Sequence, residues 1–212
     1  ISELTVESGT IELQSLTAAK NGFKLNVHNG DKLNLKNIYR HGGIAFLIIR
    51  FTTLNETYLL MATKNGLIKK TALTEYNSAR RTGLQGITLK EDDELITVRL
   101  TDGEDNVVLV THEGMCITFD EKEVRPIGRV SQGVIGIRLE DGDEVIGMES
   151  VIAGGKGATL LAITENGFGK RTELDEYRVQ IRGGKGVITY KITPKTGKLV
   201  GARIATEEDD VM

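Results

Sequence analysis

The chain contains three copies of one pattern at an interval of about 50 residues, and this repetition limits the possible folds more than any other sequence feature. In each copy, an apolar run ends in a turn and a second run follows. The turns end at Gly66, Gly114 and Gly167, which are 48 and 53 residues apart. Asn65-Gly66 and Asn166-Gly167 favour the two-residue turn of a β-hairpin. We therefore predict that each copy opens with a hairpin.

A second set of glycines shows the same period. Gly83, Gly133 and Gly186 are 50 and 53 residues apart, and each precedes a short apolar stretch. A polar turn and another apolar stretch then close each copy. Four short strands in a repeat of this length are typical of blades arranged around an axis. We therefore predict an all-β, propeller-like disc of four-stranded blades, with about four blades in this chain.

We predict a single domain, or a fragment of one, made of four units. The N-terminal segment (1–57) would be a degenerate unit, in which 16–22 resembles the first hairpin and 40–44 stands where 182–187 stands later. The first, second and third repeats would be 58–105, 106–157 and 158–212. Because the chain begins with Ile1 instead of methionine, we expect a fragment of a longer protein.

Composition narrows the class of protein. The 25 glycines and 2 prolines favour strands joined by tight turns, and a net charge of −3 argues against a uniformly basic surface. The single cysteine, Cys116, excludes an internal disulfide and is expected to be buried. The longest apolar run, 44–49, is too short to cross a bilayer, and no secretory signal opens the chain. We expect a cytoplasmic protein with no membrane partner.

A basic segment precedes the second glycine in every repeat. Around an axis, such loops would align along one rim and form a local polyanion-binding surface. Glycines allow a backbone to approach phosphate closely, and the neighbouring cations supply charge. The alternative is that these glycines only form a tight crossing between blades and that the charges are solvated. The basic loops contain Arg80 and Arg81; Arg125 and Arg129; and Arg182, Gly183, Gly184, Lys185 and Gly186.

Residues 58–212 closely resemble the C-terminal domain of the DNA gyrase A subunit. The resemblance rests on "YLLMATKNGLIKKT", "VRPIGRVSQGVIGIRLEDGDEVIGM" and "ITENGFGKRTELDEYRVQIRGGKGV". It implies a β-pinwheel, in which blades exchange strands with their neighbours, and wrapping of duplex DNA around a basic rim. The family's signature loop is matched at Gln180, Arg182, Gly183, Gly184, Lys185 and Gly186. Ile181 replaces an arginine of that loop, and this copy resembles the degenerate loop of a late blade.

The resemblance further implies an accessory domain that lets a type II topoisomerase introduce negative supercoils. Its partners at the bacterial nucleoid would be duplex DNA, the N-terminal catalytic region of the same polypeptide and the ATPase B subunit. Contacts would be electrostatic and without base readout. Four of the predicted contacts lie in strands that we expect to be exposed: Lys69, Lys70, Lys170 and Arg171. The full predicted set adds Arg80, Arg81, Arg129, Gln180, Arg182, Gly183, Gly184, Lys185 and Gly186.

Other functions are less well supported by the residues. The three histidines are scattered, and no glycine–lysine pair is followed by the Ser or Thr of a phosphate-binding loop. We therefore expect no catalytic residue, metal or cofactor in the domain itself, although the whole assembly would be an ATP-dependent isomerase. Two alternatives remain open. One is the equivalent domain of topoisomerase IV, which binds DNA without strong wrapping, and the other is a protein- or ligand-binding β-propeller.

Overall fold

The computed structural model describes residues 4–6, 11–17, 25–27, 32–41, 44–52, 57–76, 84–152, 158–206 and 209. These residues form strands, turns and three short 3-10 helices, which confirms the all-β prediction. The chain divides into two compact units, Ile1–Thr57 and Tyr58–Met212.

The described residues of the N-terminal unit form two sheets. Strands β1 and β3 pair in parallel, whereas β5 lies between β2 and β4 in an antiparallel sheet. The predicted turn at 18–22 and the glycines at 42–43 lie outside the described residues, so the degenerate blade stays a prediction. The strands are β1 (Leu4–Val6), β2 (Ile11–Thr17), β3 (Leu25–Val27), β4 (Lys32–His41) and β5 (Ile44–Thr52).

The second unit repeats one order of elements. A hairpin leads into a 3-10 helix and a long connection, and a closing strand ends the repeat. The strands are β6 (Tyr58–Thr63), β7 (Leu67–Ala72), β8 (Leu95–Thr101), β9 (Asp105–Thr111), β10 (Met115–Asp120), β11 (Val134–Ile135), β12 (Val145–Ile152), β13 (Thr159–Thr164), β14 (Gly169–Glu173), β15 (Val187–Ile188) and β16 (Leu199–Ala205). The 3-10 helices are Leu73–Tyr76, Glu121–Glu123 and Leu174–Glu176. The pairs β6–β7, β9–β10 and β13–β14 are the predicted hairpins. Their turns are not of the predicted two-residue type, because Gly66 and Gly167 have a positive φ but Asn65 and Asn166 do not.

Consecutive repeats exchange a strand. The two-residue strand β11 of the second repeat pairs with β7 of the first, and β15 of the third repeat pairs with β10 of the second. The resulting four-stranded sheets have the orders β11-β7-β6-β8 and β15-β10-β9-β12. The third sheet, β14-β13-β16, has three strands among the described residues. This exchange is the arrangement expected of a β-pinwheel.

The apolar core lies between stacked sheets. Because side chains alternate along a strand, β9 serves two layers at once. Val107 and Leu109 pack in a cluster with residues of the first repeat, while Val108 and Val110 pack with residues of the third. Cys116 is fully buried, as predicted, and burial raises the pKa of its thiol to about 12.

The closing strands define the orientation of the sheets. Strand β12 contacts both β8 and β16 of the neighbouring repeats. The closing strands therefore gather at one edge of the sheets, which we call the inner edge. Strands β11 and β15 lie at the opposite edge of their sheets, and we call these strands and the segments that lead into and follow them the outer edge.

Candidate nucleic-acid interface

Along the outer edge, backbone hydrogen bonds join the basic loop of one repeat to the segment that follows the second glycine of the preceding repeat. Thr88 in the first repeat donates to Ser131 O in the second at 3.2 Å. Further along, Arg138 N–H donates to Gly184 O of the third repeat and Gly183 N–H donates to Gly136 O, both at 2.8 Å. These loops and segments therefore form one continuous row in 84–152 and 158–206.

The glycines that end these loops are required by the crossing between repeats. Gly186 has a φ of +80°, and a Cβ there would lie 2.4 Å from Cys116 O. Gly133 has a φ of +101°, and its Cβ would lie 2.6 Å from Ile68 O. Both glycines let a two-residue strand approach the neighbouring hairpin, which supports the alternative that we gave for them. Gly183 and Gly184 have more room, since a Cβ at either would meet its nearest atom at 3.5–3.6 Å.

Arg182 and Gln180 hold the third loop against the second repeat. The Arg182 backbone N–H donates to the Glu123 carboxylate at 2.8 Å, and its Nη1 donates to Ile135 O. The Gln180 backbone N–H donates to Thr118 O at 2.7 Å. Both residues are half-buried, so they position the loop as well as carrying polar groups.

Lys185 is the exposed cation of this loop. Its side chain is 64% exposed, and its Nζ donates to Glu140 Oε1 at 2.5 Å. The hydrogen bond from Lys185 lowers the pKa of the Glu140 carboxyl. Because both partners are well solvated, the pair is weak, and a phosphate could compete for the ammonium group.

Arg129 occupies the place in the second repeat that Arg182 occupies in the third. Its Nη1 donates to Gln85 O at 3.1 Å, and its guanidinium lies 6.0 Å from the centroid of the Tyr76 ring. Arg129 is half-buried and ties the second loop to the first repeat. Arg80 and Arg81 lie outside the described residues, so their predicted role is still a prediction.

The expectation that Lys69 and Lys70 lie on an exposed strand is wrong. Lys69 is 0% exposed, and its Nζ donates to Gly86 O at 2.6 Å and to Arg129 O. Burial, together with the charge of Arg129, lowers the pKa of Lys69 to about 8. Lys70 is 4% exposed, lies 3.4 Å from Glu121 Oε1 and is 5.1 Å from the centroid of the Tyr58 ring. Both ammonium groups are thus used within the fold.

Lys170 and Arg171 are exposed, as expected, on β14. Lys170 Nζ donates to Thr189 O at 3.3 Å, and Arg171 Nε donates to Thr159 Oγ1 at 3.0 Å. No strand among the described residues pairs with the outer side of β14. The exposure of these two cations therefore follows from the absence of a fourth strand in the described part of this sheet.

Four exposed cations of the same row are absent from the predicted set of DNA contacts, although Arg125 was identified as part of the second basic loop. Arg125 and Arg178 follow equivalent 3-10 helices, and Arg138 and Lys191 follow the exchanged strands. Each pair is 53 residues apart, the same interval as that between Gly133 and Gly186. Among the described residues, none of the four forms an ion pair with a carboxylate. Aligning every basic position against the repeat, and not only the loops, would have identified them.

Two other kinds of site are absent from the described part of the chain. It holds no group of three or more His, Cys, Asp or Glu side chains that could bind a metal ion. It also has no helix that is long and apolar enough to cross a membrane.

Comparison with known proteins finds a family that has this repeated architecture. The family described as "DNA gyrase C-terminal domain, beta-propeller" matches residues 57–102, 105–152 and 158–206. The DNA gyrase A subunit of Staphylococcus aureus strain MRSA252 is 42% identical over 157 residues, which are 74% of this chain and 18% of that protein.

Two solved structures are similar to the chain. The C-terminal domain of a DNA topoisomerase IV superimposes with a TM-score of 0.68 at 32% identity, over 76% of this chain and 51% of the other. A DNA gyrase A C-terminal domain gives a TM-score of 0.65 at 28% identity, over 80% of this chain and 57% of the other. The chain thus spans less than a fifth of the gyrase A relative and about half of each solved domain.

Proposed function

The chain belongs to the DNA gyrase C-terminal domain family of beta-propellers, and we propose that its outer edge binds duplex DNA without base readout and bends the DNA along the row of repeats. The observation that carries the proposal is the recurrence of exposed cations at equivalent places in that row. The equivalent pairs are Arg125 with Arg178 and Arg138 with Lys191, and the exposed Lys185 lies in the same row, with Lys170 and Arg171 on the neighbouring β14.

The spacing of these cations suits a polyanion backbone better than a single small anion. Arg125 and Arg178, like Arg138 and Lys191, recur over two consecutive repeats, and none of these four pairs with a carboxylate among the described residues. Each cation that replaces a condensed counterion at a phosphate contributes to affinity by releasing that counterion. Several such contacts could offset the ~1–6 kcal/mol that smooth bending of DNA by 40–90° costs.

Within a whole topoisomerase, this binding would present a wrapped DNA segment to the catalytic region of the same polypeptide. The chain itself would contribute no catalytic group. The N-terminal catalytic region and the ATPase B subunit would be its protein partners, at the nucleoid of the bacterial cytoplasm. Wrapping would give the enzyme its direction of supercoiling.

A gel-shift series over salt concentration tests the binding proposal. The logarithm of the binding constant should fall by about 0.9 per phosphate contact for each tenfold rise in salt. The double variant Arg138→Ala/Lys191→Ala should weaken binding on all sequences alike and reduce that slope by roughly 1.8.

A matched control removes two exposed cations that are already paired. Lys122 lies 2.6 Å from Glu104, and Lys198 lies 2.5 Å from Glu113. Lys122→Ala/Lys198→Ala should leave the slope close to that of the parent. Equal losses in both double variants would point to a general charge effect, and no retardation at low salt would favour a protein- or ligand-binding propeller.

The topoisomerase IV alternative is supported by the structural match at 32% identity. A supercoiling assay with the chain joined to a catalytic core separates the two. Introduction of negative supercoils would support the gyrase role, whereas relaxation alone would support topoisomerase IV.

A further inference from the structure

Three equivalent positions on the inner edge carry alternating charges. Arg99, Glu149 and Arg203 are each the fifth residue of their closing strands β8, β12 and β16. They belong to the first, second and third repeats, at intervals of 50 and 54 residues. Because β12 contacts both of the other closing strands, the glutamate lies between two arginines.

The contacts within this group are short and well directed. Arg99 Nη2 lies 2.7 and 2.9 Å from the two carboxylate oxygens of Glu149. Arg203 Nη1 lies 2.7 Å from Oε1 of the same carboxylate. Charge-assisted hydrogen bonds of this kind are stronger and more directional than neutral ones. One carboxylate therefore joins three consecutive repeats.

Burial makes this contact more than a surface ion pair. The Glu149 side chain is 13% exposed, compared with 36% for Glu144 and 40% for Glu113, whose ion pairs with Lys64 and Lys198 each join two repeats. Water screens the Glu149 carboxylate less, so its attraction to both arginines is stronger. Without the carboxylate, two cations would face each other across the inner edge.

A small rotation between repeats at the Glu149 contacts would produce a larger displacement at the outer edge. Neighbouring strands are about 4.8 Å apart, so the outer strand of a four-stranded sheet lies roughly 14 Å from its closing strand. A rotation of about 10° between repeats at the inner edge would then move the outer strands by roughly 2–3 Å. A shift of that size changes the curvature of the cationic row.

We propose that Glu149 is a positioning residue that sets the angle between consecutive repeats and thereby the bend that the outer edge imposes on DNA. This inference rests on the proposed function, but the angle between repeats can be tested without DNA. Glu149 contacts no phosphate in this scheme. It acts through Arg99 and Arg203 on the geometry of the row.

The first experiment measures the protein alone. Probes at Lys90→Cys and Lys191→Cys, both exposed positions on the first and third repeats, report the distance across the row. Cys116 is buried and should not be labelled. Glu149→Arg should shift that distance by at least ~2 Å, while the triple reversal Arg99→Glu/Glu149→Arg/Arg203→Glu should return it to the parent value.

The second experiment measures DNA with unlabelled protein. A short duplex should bind Glu149→Gln within about twofold of the parent, since its phosphate contacts are unchanged. The end-to-end energy transfer of a longer labelled duplex should fall in Glu149→Gln, because the bend is smaller, and should recover in the triple reversal. Glu104→Gln, which loses the same charge from an exposed pair, is the control and should bend DNA as the parent does.

The outcomes separate the two proposals. An unchanged probe distance in Glu149→Arg, or a triple reversal that fails to restore it while melting like the parent, overturns the role of Glu149. If the triple reversal restores the probe distance but the parent binds no DNA, the role of Glu149 between the repeats stands and the proposed function is wrong. If Glu149→Arg does not fold, Glu149→Gln and the triple reversal still decide the question.

Discussion

Lys69 and Lys70 in β7 occupy the same places in the repeat as Lys170 and Arg171 in β14, yet their surroundings are opposite. The first pair is buried at 0% and 4% exposure, whereas the second pair is exposed. The second repeat covers β7 with its exchanged strand and its 3-10 helix, and no described strand covers the outer side of β14. The role of a strand cation is therefore decided by the following repeat and not by its own sequence.

Loss of one partner of the buried ion pair should give the largest effect. Lys70→Ala leaves Glu121, which is 0% exposed, without its counter-charge, and should lower the free energy of unfolding by about 3–5 kcal/mol. Arg171→Ala, at the equivalent exposed place, should cost less than about 1 kcal/mol. Chemical denaturation of both variants measures the difference, and equal losses would mean that the comparison fails.

The junction between the second and third repeats suggests a substitution that should restore the free energy of unfolding lost in Lys70→Ala. At the places of Lys70 and Glu121, the next junction has Thr118 and Leu174, an uncharged pair. Replacing a buried ion pair with uncharged residues is often neutral or stabilising. The double variant Lys70→Thr/Glu121→Leu should therefore unfold at a higher denaturant concentration than Lys70→Ala.

The hairpin turns give a smaller effect of the same kind. Gly114 has a φ of +84°, and a Cβ there would lie 2.1 Å from Tyr190 O of the next repeat. Gly167 has a φ of +80° but has nothing within 4 Å of that Cβ. Gly167→Ala should cost roughly 1–2 kcal/mol of backbone strain, and Gly114→Ala roughly 2–5 kcal/mol because the clash adds to it. Thermal melts that rank the two variants in the reverse order would contradict the assignment of β14 as an uncovered strand.

The repeat made most of the fold of 58–212 predictable. The turn residues Asn65-Gly66 and Asn166-Gly167, with apolar runs on both sides, specify hairpins locally, and a period near 50 residues specifies blades. The family resemblance, more than any local pattern, indicated the exchange of strands. Local patterns do not carry it, because Val134 and Ile135 pair with a strand more than 60 residues earlier in the chain.

The site was less predictable for the same reason. Lys69 and Lys70 were predicted to be charges on an exposed strand, whereas Glu121, Gly86 O and Arg129 O approach them from other segments. The phosphate contact at Gly186 stays a prediction, and the close approach to Cys116 O gives this glycine a structural role that local sequence did not indicate. The cations Arg138 and Lys191 were overlooked because they follow the exchanged strands instead of preceding a glycine.

Removal of the exposed pair should affect DNA binding and not folding. If Lys170 and Arg171 each neutralise a phosphate, Lys170→Ala/Arg171→Ala should lower the slope of log affinity against log salt by roughly 1.8 while the melting temperature changes little. The rescued variant Lys70→Thr/Glu121→Leu removes a cation from the covered place and should keep the slope of the parent. A salt series on both proteins tests this, and a loss of slope in the second would show that the buried lysine also contributes to binding.

The smallest effect concerns the pH dependence of folding at Lys69. The ordinary pKa of a lysine is 10.5, and burial lowers that of Lys69 to about 8 in the folded chain. Between pH 8 and pH 10.5 the unfolded chain therefore holds more of this proton than the folded chain, so this group makes the free energy of unfolding increase as the pH rises. Below pH 8 both states are protonated, and the cost of burying the charge is present in full.

Lys69→Met isolates this contribution, because the equivalent place in β10 holds the apolar Ile117 and shows that the position accepts such a side chain. The variant leaves Arg129 O without the Lys69 donor and Gly86 O with only the Tyr76 hydroxyl at 3.3 Å, so it should be less stable than the parent at every pH. Other groups titrate in the same range in both proteins, so the difference between the two curves is the quantity that reports Lys69. Denaturant unfolding at pH 7.5 and pH 10 should show the stability of the parent increasing relative to that of the variant. Parallel curves would mean that water reaches the Lys69 ammonium group, and the contrast between the covered β7 and the uncovered β14 would then be one of packing alone.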